Sequence, residues 1–70
     1  MKTLYDVQEM LKKYGYINLF SDRLDAIKMM QIELSKMLES GIFQKSDHEY
    51  LTARLILARE ERIELEKSKV

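Results

Sequence analysis

Between Lys12 and Arg23 the chain concentrates its binding chemistry: the rings of Tyr14, Tyr16 and Phe20 lie between the cations Lys12 and Lys13 on one side and Arg23 on the other. Rings of this kind stack on unpaired bases, each stack contributing ~1–3 kcal/mol whatever the base, while the cations meet phosphates. With Tyr5 from the preceding segment, the residues Tyr5, Lys12, Lys13, Tyr14, Tyr16 and Arg23 define a candidate surface for single-stranded nucleic acid, RNA or DNA. Arg54 is a second candidate phosphate ligand, sharing that role with Arg23. A structural reading competes with this one: Tyr14 would complete a helical apolar stripe and Phe20 would plug the end of a bundle. Arg23 stands at the start of an apolar stripe, where an unpaired charge is costly to bury. It can turn to solvent, face an anion at a helix N-terminus, or pair with an acid such as Asp6, the last being the favoured reading. Arg54 can lay its stem over the core edge with its head in water, or join an inter-helix or inter-subunit ion pair.

Catalytic chemistry finds no such footing, and the sequence predicts a non-enzymatic protein without cofactor or metal. His48 is the one histidine, set between Asp47 and Glu49, and there is no cysteine. No activated nucleophile with its base is discernible, and Gly15 and Gly41 lack phosphate-loop spacing. Twelve basic and twelve acidic side chains leave no net charge, so the chain lacks the broad basic field of a duplex-DNA binder. No apolar run is long enough for a bilayer, and Met1-Lys2-Thr3 leads straight into a helical pattern. The expectation is a cytoplasmic protein with no membrane partner.

The elements that must carry these residues are helices. Absent proline and only two glycines favour long helical runs. Leu4, Val7, Leu11 and Tyr14, flanked by Met10, recur at three- and four-residue steps and predict a helix over about 4–14, capped by Thr3 with Asp6 at capping-box spacing and stopped by Gly15. Ser21 or Asp22 caps a second helix over about 22–40, its core face Leu24, Ile27, Met30, Leu34, Met37 and Leu38; Gly41 ends it, and Ile42 is placed to fold back on its last turn. Ser46-Asp47-His48-Glu49 reads as a capping box opening a third helix over about 47–66, with Tyr50, Leu51, Leu55, Leu57 and Ala58 facing the core. From about residue 60 the charged run to Lys69 is expected to project and fray. Residues 1–70 thus predict one all-α domain, a small three-helix bundle with short connections.

Asp6-Val7-Gln8, Leu11-Lys12 with Tyr14-Gly15, Asp22-Arg23 and Glu33-Leu34 resemble the YqgQ-like family of short bacterial proteins. The resemblance covers most of the chain, densest in its first forty residues, and implies a three-helix cytoplasmic protein with no established catalytic activity.

A domain of this size buries barely enough apolar surface to offset its chain entropy. Self-association would relieve that shortage. Met29 and Ile32 on the second helix, with Ile56 and Ile63 on the third, fall outside the predicted stripes and are the candidate interface of a protein-interaction module or homodimer.

Overall fold

The computed structural model describes residues 1–68 and contains the three expected helices: α1 (Leu4–Lys12), α2 (Arg23–Glu39) and α3 (His48–Lys67). Lys69, the last residue of the predicted charged run, lies outside the described residues, as does Val70.

Helices α1 and α2 each begin where a side chain takes up a free amide of the first turn. The Thr3 hydroxyl accepts the Asp6 amide at 3.2 Å, and the Asp6 carboxylate accepts the amides of Thr3 and Lys2 at 3.1 and 2.8 Å. These two backbone donors hold the Asp6 carboxyl below the usual aspartate range. Asp22 caps α2 by accepting the Asp25 amide at 3.1 Å. The box predicted at Ser46–Glu49 does not form. Asp47 is the N-cap of α3 but makes no capping bond, because its carboxylate accepts the Gln44 amide at 2.8 Å while its own amide donates to Gln44 O at 3.0 Å. The turn closes on itself and the helix starts one residue later than predicted.

The ends of α1 and α2 are built alike. Tyr16 donates to Leu11 O and Gly15 to Lys12 O; Ile42 donates to Met37 O and Gly41 to Leu38 O. This is the Schellman pattern, which needs a left-handed residue at its corner. Gly15 (φ 96°) and Gly41 (φ 85°) supply it. After the second corner it is Phe43 that enters the core, while Ile42 stays exposed.

The first connection departs from the short link expected. The Lys2 end of α1 lies against Arg59 of α3, and Tyr14 lies against Phe43 beyond the far end of α2. Arg23, opening α2, reaches Glu60 and Glu64 near the end of α3. Helices α1 and α2 therefore both run antiparallel to α3 and parallel to each other. Residues 13–22 form a strap that returns along the bundle before α2 begins. Tyr16 anchors this strap in the core; Ile17, Leu19 and Phe20 remain outside.

Val7, Leu11, Ile27, Met30 and Leu57 are fully enclosed at the centre. On α1 and α2 the buried residues follow the predicted faces, with Leu24 and Leu38 half-buried at the margin and Ala26 added. On α3 the helix is turned relative to the prediction. Tyr50, Ala53, Ile56 and Leu57 are buried; Leu51, Leu55 and Ala58 face solvent. The charged end of α3 stays helical to Lys67, with Glu60 and Glu64 turned inward toward Arg23.

Candidate interaction surfaces

The structure divides the predicted aromatic–basic surface among separate places. Tyr16 is 7% exposed, sealed beneath the strap, its hydroxyl buried with no hydrogen-bond partner. Burial, reinforced by the negative charge of Glu33, raises its phenol above the ordinary value of 10.0. Tyr14 is half exposed and packs edge-on against Phe43, ring centres 5.6 Å apart; Phe43 in turn meets Tyr50. Lys12 pairs with Glu9 at 2.9 Å, which raises the lysine above its usual value. Lys13 is exposed and lines a shallow hollow with Asp6, Glu9 and Glu49.

Arg23 is paired, though not with Asp6, whose Oδ2 accepts the amides of Lys2 and Thr3 in the cap of α1. Its guanidinium meets Glu60 at 2.7 Å and Glu64 at 2.8 Å. Arg59 shares Glu60 at 3.4 Å and donates to Lys2 O at 3.0 Å. The two arginines, with exposed Tyr5 and with Gln8, line a hollow of about 470 Å³ at this end of the bundle. Arg54 lies elsewhere, in the groove between α2 and α3 beside Gln31, Ser35 and Tyr50. Arg23 and Arg54 do not converge on one cleft. Among the described residues Arg54 and Arg62 make no ion pair.

The predicted interface fares unevenly. Ile56 is 5% exposed and belongs to the core, because α3 presents Tyr50, Ala53 and Leu57 inward and Ile56 stands beside them. Met29 is half-buried against that core. Ile32 is exposed, but amid Lys28, Lys36 and Glu39. Ile63 is exposed one turn beyond Arg59, on the flank toward α1. These four residues do not make one patch.

A different surface, not anticipated, does run continuously. Leu51, Leu55, Ala58, Arg62 and Leu65 follow one another at steps of four, three, four and three along α3, the spacing of a helix–helix seam. All five are exposed, with Leu51 at 41%, Leu55 at 71% and Leu65 at 44%. The heptad spacing is its sequence signal, obscured when Leu51, Leu55 and Ala58 are assigned to the core. The exposed strap residues Ile17, Leu19 and Phe20 make a second, irregular apolar area.

These features define a small parallel–antiparallel three-helix domain that carries apolar side chains on its outside. Among the described residues no helix is long and apolar enough to cross a membrane, and no group of three or more potential metal ligands is assembled. Comparison with known proteins places the sequence: the YqgQ-like family model matches residues 1–63, and the chain belongs to that family. It is 36% identical over 60 residues to the uncharacterized protein YqgQ of Bacillus subtilis (strain 168), covering 86% of this chain and 82% of that one. No solved structure matches it significantly.

Proposed function

We propose that this protein is an interaction module that docks another helix on the outer face of α3. The observation that carries the reading is the exposed seam Leu51–Leu55–Ala58–Leu65, on a helix whose opposite side already fills the core. Apolar side chains scattered singly over a surface are ordinary. Leucines repeated at heptad spacing along one helix face are the pattern by which helices recognise helices. A photo-cross-linking amino acid placed at position 55 tests it in cells. Protein adducts are expected there and at 51, but not at Lys28 on α2. Position 55 giving no more adduct than position 28 would refute the reading.

A second reading, binding of single-stranded nucleic acid, is supported by the hollow that joins exposed Tyr5 to Arg23 and Arg59. Gln8 also borders the adjoining hollow of Lys12, Ile17 and Asn18, so a strand would run along α1. The pairing of Arg23, Arg59 and Lys12 with acids weakens the attraction for phosphate, and the separation of Arg54 from Arg23 ranks this reading below docking. Fluorescence anisotropy with a labelled single-stranded oligonucleotide would show affinity that falls with salt, through counterion release, and is lost in Tyr5→Ala. Binding that ignores salt, or none at tens of micromolar protein, would dismiss it.

A further inference from the structure

We infer that the occupant of the α3 seam is the α3 seam of a second copy, running in the opposite direction. The inference rests on the docking reading above and adds the partner and its orientation.

Charge decides the direction. The seam has two flanks: Arg54 and Glu61 stand on the side toward α2, Arg59 and Glu66 on the other. In a parallel pair each flanking residue meets the one five positions later on the opposite helix. Arg54 would then face Arg59 of the second copy, and Glu61 would face Glu66, so every such contact is repulsive. Reversing one helix with Ala58 on the twofold axis brings Arg54 opposite Glu61 of the other copy, twice by symmetry. Arg59 meets its own copy once in this arrangement, with Glu60 and the Lys2 carbonyl beside each guanidinium to take up its charge, whereas the parallel pair sets two Arg54–Arg59 and two Glu61–Glu66 contacts against each other. Glu61 makes a 3.3 Å contact with Gln31, and that neutral partner leaves its charge unmatched. Among the described residues Arg54 likewise has no acid of its own.

Side-chain size agrees with that direction. Ala58 at the centre lets the two helices approach to the near end of the usual ~8–10 Å spacing. Leu51 meets Leu65 of the other copy at each end. Leu55 meets Arg62, whose apolar stem covers the leucine while its head reaches water. A polar residue within a seam of this kind specifies register at some cost in stability. The seam is ~21 Å long at 1.5 Å per residue, short of what a standard interface of about 1,200–2,000 Å² requires. The dimer is therefore a weak one, forming in the range of ~1 µM to ~1 mM.

Because the chain has no cysteine, introduced cysteines report contacts without background. Three exposed sites make the test: Ala58→Cys, Leu51→Cys and a mixture of Leu51→Cys with Leu65→Cys, oxidised beside Lys36→Cys as a collision control, each first shown to be folded by circular dichroism. The antiparallel pair predicts that Ala58→Cys gives disulfide dimer at least ~10-fold faster than the control. It also predicts that the mixture forms a disulfide between positions 51 and 65 of the two copies, while Leu51→Cys alone stays at the control rate. Self-linking of Leu51→Cys as fast as that of Ala58→Cys would establish the parallel arrangement and overturn the inference. Control rates at all three sites would overturn it too. Adducts from the photo-cross-linker at position 55 with a mass other than twice the chain would then assign the seam to a different protein, leaving the docking reading intact; no adducts would remove both.

Discussion

Ile56→Lys is expected to leave no cooperatively folded protein, whereas Leu55→Lys, one residue away, is expected to fold as the parent does. Ile56 is 5% exposed and belongs to the buried core with Ala53 and Leu57. Replacing it removes a buried side chain, a loss of ~2–5 kcal/mol for comparable truncations, and puts an ammonium into a core whose buried residues, among those described, are all hydrophobic, which costs more. A chain of 70 residues has a total stability of only ~3.5–10 kcal/mol at ~0.05–0.15 kcal/mol per residue. Leu55 is 71% exposed, and surface substitutions typically stay within ~0.5 kcal/mol. Thermal melts followed by far-UV circular dichroism distinguish the two. Equal stability of the variants, or an unfolded Leu55→Lys, would mean that α3 is rotated from the orientation described.

Tyr16 is the second residue with a large predicted effect. It is the one ring of the strap that enters the core, and the Schellman corner at Gly15 is what carries it there. Tyr16→Ala should lose ~3–5 kcal/mol, by analogy with other buried aromatic truncations, and release the strap; chemical denaturation measures the first and amide exchange of residues 16–20 the second. Tyr16→Phe should do the opposite. The hydroxyl is buried without a partner, a situation that costs ~1–3 kcal/mol, so its removal should raise the melting temperature by several degrees. The same burial gives a pH signature. The phenol's folded pKa is raised above its unfolded value, so the stability it contributes is complete below about pH 10 and is lost as pH rises through the folded value. Tyr16→Phe should show a shallower alkaline loss of stability than the parent. A Phe variant less stable than the parent would show that the hydroxyl has a partner after all.

How far the sequence discloses this architecture depends on how many faces a helix offers. Helices α1 and α2 each carry one apolar stripe, Leu4–Val7–Leu11 and Ile27–Met30–Leu34–Met37, so periodicity alone orients them. Helix α3 carries two. Leu51, Leu55 and Ala58 compete with Tyr50, Ala53 and Leu57, and the larger leucines suggest the wrong one. The choice is settled in three dimensions, where Glu60 and Glu64 must face Arg23 across the bundle and Ala53 lets the helices approach. Neither constraint is visible along the chain. Gly15 and Gly41 are readable because left-handed corners favour glycine so strongly. The cap at Ser46–Glu49 misleads because Asp47 has another amide within reach, that of Gln44. The ring surface fails as a unit for a related reason: spacing places Tyr14 and Tyr16 close together, but the glycine corner between them sends one outward and the other in. The exposed seam of α3 is present in the sequence as a heptad, hidden only when α3 is oriented by its largest leucines.

Sedimentation equilibrium over micromolar to millimolar concentrations tests the pairing of two α3 seams most directly. The parent chain, 8.4 kDa as a single copy, should rise toward twice that mass as concentration increases. Leu55→Lys, equally folded, should remain at the single-copy mass over the same range. A parent that stays at single mass throughout, or a Leu55→Lys variant that dimerises as readily as the parent, would contradict the account.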